Sequence, residues 1–176
     1  MVKRNLLIIF VVAAGLFFLL QLVKLDSITV RLPANNHKIW YLIPADTGDQ
    51  FSLTYRHSVE KTLVKGIFQV SKTPSILAVE TRMTSVGTGL PNTNFKRTSR
   101  EGKWIVVDEG KKAIDNFRFF ISSVNKTFLT TSNGTIDLMT LPSGTVILVG
   151  VERIPLLAYG LYWGDRFLKK IKFEEK

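Results

Sequence analysis

The chain has 176 residues, 24 Lys and Arg against 14 Asp and Glu, and no cysteine. That length suits one domain with one substantial core, so a second globular domain is not expected. The missing cysteines exclude a disulfide framework, a Cys-ligated zinc site, a thiol nucleophile and a lipidated N-terminal cysteine.

At the start, Met1-Val2-Lys3-Arg4-Asn5 precedes an apolar run from Leu6 to Val23 broken only by Gln21. This is the length needed to cross a bilayer as a helix. A secretory signal peptide begins the same way, but this run closes on Leu19-Leu20-Gln21-Leu22-Val23-Lys24-Leu25, without the small residues a signal peptidase requires. Residues 1–24 therefore read as an uncleaved anchor, with a signal peptide as the alternative. Lys3 and Arg4 favour a cytoplasmic N-terminus and an extracytoplasmic remainder, as a single-pass protein of the cytoplasmic membrane. A cysteine-free exported domain points to a prokaryotic source. Beyond the anchor, 22 basic residues face 14 acidic ones, a surface that suits anionic lipid or an acidic partner; nucleic acid is not an expected partner.

From residue 25 to 153 short alternating or apolar runs are separated by turn signals, the pattern of successive strands. Candidates are Ser27–Leu32, Ile39–Ile43, Gln50–Val59, Gly66–Val70, Ser75–Met83, Trp104–Val107, Phe117–Val124, Ile136–Leu141 and Thr145–Val151. Turns are expected at Asp46-Thr47-Gly48, Thr73-Pro74, Glu109-Gly110, Ser132-Asn133-Gly134 and Pro142-Ser143-Gly144. The fold class is mostly β: an antiparallel β-sandwich or barrel of about nine strands, after one transmembrane helix and before a short C-terminal helix. Pro91 to Lys103, with Lys96, Arg97, Arg100 and Lys103 against Glu101, reads as a solvated basic loop.

Residues 154–176 form the last segment. Leu157, Leu161, Gly164, Leu168 and Ile171 recur at helical spacing, with aromatic rings and late lysines nearby. Such a helix suits either a membrane interface or the cover of an open sheet.

Reactive residue types concentrate in Tyr55-Arg56-His57-Ser58-Val59-Glu60-Lys61-Thr62. On a continuing strand His57 and Glu60 point to opposite faces, so a joint metal site would require the chain to turn there. A Gly-x-Ser-x-Gly elbow is absent and the only other histidine is His37, so no catalytic, metal or cofactor site is assigned. A structural pairing of His57 with Glu60 or Glu80 is the alternative, since Glu80 follows Ile76 and Ala78 at strand spacing. Gly87-Thr88-Gly89-Leu90-Pro91 reads as a tight turn or bulge, and Asn125-Lys126-Thr127 and Asn133-Gly134-Thr135 as chance glycosylation triplets.

The order His57-Ser58-Val59-Glu60-Lys61-Thr62, then Glu80-Thr81, then Gly87-Thr88-Gly89-Leu90-Pro91 resembles a small prokaryotic family, domain of unknown function 1850 (DUF1850), chiefly over Phe51 to Pro91. Where the family's first motif usually continues with proline, valine and an acidic residue, this chain has Leu63-Val64-Lys65-Gly66. The resemblance marks His57, Ser58, Glu60, Thr62, Glu80, Gly87, Gly89 and Pro91 as a possible interaction site. It implies a non-enzymatic accessory role beside a TAXI-type tripartite ATP-independent periplasmic (TRAP) transporter. The implied partners are that transporter's membrane subunit or its solute-binding protein. Two other readings stand beside it: a ligand-binding module or hydrolase using His57 with Glu60 or Glu80, and an envelope protein that binds anionic lipid.

Overall fold

The computed structural model describes residues 2–85 and 97–174. Its first element, α1 (Val2–Leu22), is a helix whose stretch Arg4–Leu22 is long and apolar enough to cross a membrane. Side chains from Leu6 to Leu22 are exposed, apart from the half-buried Ala14 and Leu20, so no protein core accounts for their apolar character.

Among the described residues eleven strands follow, in two sheets. Strands β1 (Lys24–Leu32), β2 (Lys38–Pro44), β8 (Asn116–Phe120) and β11 (Val146–Pro155) make a four-stranded sheet in the order β2-β1-β11-β8. The second sheet is built from β3 (Gln50–Arg56), β4 (Leu63–Val70), β5 (Ile76–Met83), β6 (Thr98–Glu101), β7 (Trp104–Ile114), β9 (Phe128–Thr131) and β10 (Gly134–Asp137). Its order is β10-β9-β3-β4-β5-β7-β6. Ile28, Val30, Ile147 and Val149 of the first sheet meet Phe51, Leu53, Leu129 and Ile76 of the second in one core, so the fold is a sandwich.

Two strands beyond the expected nine are β6 and β9. Thr98-Ser99-Arg100-Glu101 is polar throughout and carries no alternation, so part of the expected basic loop is instead one arm of a hairpin with β7. Strand β9 is four residues long and turns at Ser132-Asn133 into β10, which stops at Asp137. There the Asp137 carboxylate accepts the Met139 N–H at 2.8 Å and starts a 3₁₀ turn over Leu138–Thr140, so the expected strand to Leu141 is cut short. Likewise β8 ends at Phe120, short of Val124, and β3 ends at Arg56, short of Val59. Glu109-Gly110 is not a turn between strands. Three residues of β7 oppose one of β5 there, with Gly110 and Lys111 at φ 65° and 52°, a bulge inside one long strand.

The last element, α2 (Leu156–Glu174), is the C-terminal helix expected within residues 154–176 and has 19 residues. It starts where α1 ends, since the Leu156 N–H donates to the Val23 carbonyl at 2.8 Å. Tyr159 then meets Ser27 at 2.6 Å, and Tyr159 packs with Leu42 and Ile154. Of the two expectations for this segment, cover of a sheet is what α2 provides along Tyr159 and Tyr162.

Hydrogen bonds mark both ends of the sandwich. At one end Arg153 bonds to Asp26 at 3.2 Å and to the Lys72 carbonyl at 3.4 Å, so the 71–75 turn lies beside the exit of α1. At the other, the Ile121 N–H donates to the Thr145 carbonyl at 2.8 Å and the Arg56 N–H to the Asn125 carbonyl. Between these ends runs β11, 10 residues long, or roughly 30 Å of extended chain.

Candidate functional site

The ladder between β3 and β4 runs one pair past Arg56 and Leu63, through the His57 N–H to the Thr62 carbonyl at 2.8 Å. Ser58 to Lys61 then form a four-residue turn, closed by the Lys61 N–H on the His57 carbonyl at 3.0 Å. Lys61 takes φ 55°, a left-handed conformation that costs a side-chain-bearing residue free energy. The turn brings Glu60 back to His57, but through its backbone: the Glu60 N–H donates to His57 Nδ1 at 3.3 Å. A neutral ring held this way carries its proton on Nε2 and presents a donor there. Ser58, Val59 and Glu60 are exposed, and no hydrogen bond joins the Ser58 and His57 side chains among the described residues.

Glu80 does not pair with His57. The register of β4 on β5 slips between Phe68↔Ala78 and Ile67↔Glu80, so the extra residue Val79 turns Glu80 away from the face of Ile76 and Ala78. Its carboxylate instead takes Arg82 Nε at 2.6 Å, and Arg82 reaches Glu101 at 3.4 Å. Of the expected site residues, His57, Ser58, Glu60 and Thr62 share one turn and Glu80 stands on the opposite face of the sheet. Gly87, Gly89 and Pro91 lie outside the described residues, as does Lys96. The stretch leading to them begins beside Thr62, since Leu63 and Thr84 exchange bonds of 3.2 Å through the Leu63 N–H and the Thr84 N–H.

Other residues complete the site. Among the described residues the buried side-chain polar atoms lacking any partner are Thr62 Oγ1, Asn125 Oδ1 and Thr127 Oγ1. Asn125 accepts the Arg56 N–H, and Thr127 precedes Phe128, the partner of Thr54, so that in the same register it stands beside Tyr55. All three therefore lie at the end of the sandwich that carries the motif turn, Thr62 beside His57 on the β4 side of β3 and Asn125 and Thr127 on its β9 side. Buried polar atoms are nearly always satisfied, and ordered water is their ordinary partner where protein supplies none. Tyr55 lies against Phe119 with centroids 4.9 Å apart, and burial raises its phenol above the ordinary tyrosine range. A cleft of about 240 Å³ opens there, lined by Tyr55, Val64, Phe68, Phe117 and Phe119 among others. The sequence signal for Asn125 and Thr127 was the triplet Asn125-Lys126-Thr127, whose importance is its position in the fold. No group of three or more His, Asp or Glu side chains suited to a metal ion occurs among the described residues. In the basic segment, Arg100 bonds to the Gly102 carbonyl at 3.4 Å and Lys103 lies 5.7 Å from the Trp104 ring centre, both on the β6–β7 hairpin.

The family model described as domain of unknown function (DUF1850) matches residues 51–138. That interval begins with β3 and ends at Leu138, so it contains the turn, Tyr55, Asn125 and Thr127. No curated protein matches the chain, and no solved structure does.

Proposed function

The chain belongs to the DUF1850 family, and on that premise we propose that it is a non-enzymatic accessory component of a TAXI-type TRAP solute transporter. It is held in the cytoplasmic membrane by α1 and faces outward. The observation that carries this reading is the placement of the motif turn at the end of the sandwich remote from α1, roughly 30 Å of strand away. Val59 at its tip is 71% exposed, an aliphatic side chain without protein cover. A turn so placed stands clear of the bilayer and suits a partner outside it: the solute-binding protein, or an extramembrane loop of the membrane subunit.

Lys3 and Arg4 before α1 support the outward orientation. Anchoring raises the effective concentration of the turn at the membrane, so that a modest contact suffices. The test is crosslinking in intact membranes followed by affinity purification of the full-length protein. A transporter subunit or solute-binding protein recovered with it is the expected result, and recovery of neither overturns the proposal.

A further inference from the structure

We infer that the free edge of β8 is a docking site for an extended segment of a partner protein in which apolar and acidic residues alternate. The segment pairs antiparallel with Asn116–Phe120, sets its apolar side chains into the cleft beside Phe117 and Phe119, and lays an acidic side chain against Arg118. The site is apart from the motif turn and does not rest on the transporter reading.

The edge follows from the sheet order. Strand β8 ends the first sheet, with β11 on one side and, among the described residues, no strand on the other. The Ile121 N–H donates to the Thr145 carbonyl at 2.8 Å, so by strand alternation the backbone groups of Phe117 and Phe119 also face β11. Those of Asn116, Arg118 and Phe120 then point outward, a row of donors and acceptors open to another chain. The other sheet edges are guarded: Tyr162 occupies that of β2, while β6 and β10 are only four residues long and largely polar. Strand β8 carries Phe117, Phe119 and Phe120 and is left open among the described residues.

The occupant follows from what flanks that edge. Phe119 lies on Tyr55 of β3 and Phe117 on Phe68 of β4, so a strand added about 4.8 Å further out stands over β4 and β5. The cleft of about 240 Å³ opens there, between Phe117 and Phe119 on one side and Val64, Gly66 and Thr81 on the other. Gly66 adds no side chain to this floor, which leaves room for aliphatic side chains from alternate residues of the added strand. The intervening residues face away from the core, on the side of Arg118, which is exposed and makes no hydrogen bond or ion pair among the described residues. A carboxylate directly opposite it is the complementary partner. A second copy of β8 in full overlap would instead set Arg118 against Arg118, two like charges face to face. Every ladder among the described residues is antiparallel, and that pairing is the more stable per residue.

The test uses the full-length protein in mild detergent and a short fluorescent peptide alternating valine and glutamate, blocked at both ends. Anisotropy rises saturably, and amide exchange at Arg118 and Phe120 slows in the bound protein. The same peptide with lysine in place of glutamate binds about fivefold more weakly, and Arg118→Glu, a change at an exposed position, reverses that preference. Methylation of the glutamate amides, which face β8 in antiparallel pairing, abolishes binding; methylation of the valine amides, which face away from it, leaves binding intact. Absence of saturable binding, any other pattern of methylation, or an unreversed preference in Arg118→Glu overturns the assignment. So does slowing of the same two amides with rising protein concentration and no peptide, which would give the edge to a second copy of the chain.

Discussion

The hydroxyl of Tyr162 accepts the Leu42 N–H at 3.3 Å and donates to the Trp40 carbonyl at 3.0 Å. These two backbone groups lie on the free edge of β2, where another strand would otherwise pair, so α2 closes an edge that could template aggregation. Tyr162→Phe keeps the ring and removes both bonds. It is expected to cost about 1–2 kcal/mol, read as a lower urea midpoint at unchanged slope, and to increase self-association.

A second site of stability joins β1 to β11. Arg31 holds Glu152 through two bonds of 2.7 Å, and Thr29 adds a third of 2.7 Å. The guanidinium and the hydroxyl keep the Glu152 carboxyl below its usual range despite the opposing effect of burial. A depressed carboxyl contributes stability that is present above its unfolded value and lost as pH falls through the folded one. Glu152→Gln is expected to cost about 1 kcal/mol at neutral pH, discounted for partial exposure. The difference from the natural chain should vanish in acid, and pH-dependent urea unfolding of both proteins checks it.

Gly66 has an ordinary backbone, so its importance is steric. A Cβ there would stand 2.9 Å from the Phe68 ring, and that ring is stacked between Phe51 at 5.3 Å and Phe117 at 4.7 Å. The far end of the ring must shift toward the cleft it lines, so Gly66→Ala is expected to destabilise by about 1 kcal/mol. Chemical denaturation measures it, and an unchanged midpoint would show that the aromatic stack is softer than its geometry implies.

Lys61 gives a prediction of the opposite sign. A lysine at φ 55° carries backbone strain that glycine would not. Lys61→Gly is expected to stabilise the fold by about 0.5–1 kcal/mol while weakening whatever the motif turn binds. Thermal unfolding together with partner capture separates the two effects.

The sequence discloses the architecture where side chains alternate cleanly. In β3, Phe51, Leu53 and Tyr55 face the core as their spacing indicates. It conceals the elements whose pairing is set by neighbours. Thr98–Glu101 has no apolar face, and its place in the sheet is fixed by its backbone pairing with β7. Strand alternation puts Glu80 on the face of Ile76 and Ala78, but the bulge at Val79 shifts the register and turns it to the other, and no local signal announces such a slip. Likewise the alternation of β3 continues in sequence to Val59, but the left-handed Lys61 ends it earlier and folds Glu60 back onto His57. The polar motif was legible as a cluster. Its completion by Asn125 and Thr127 depends on β9, a four-residue strand more than sixty positions away in the chain and not separable from its flanking turns by periodicity.

The central claim is that the turn at Val59, remote from α1, contacts an extramembrane partner. Photocrosslinking residues placed singly at Val59 and at Lys72, beside the α1 exit, test it in intact membranes. Capture of a solute-binding protein or an extramembrane loop of the membrane subunit from Val59 and not from Lys72 is the predicted result. Capture from Lys72 alone, or from neither position, would contradict the account.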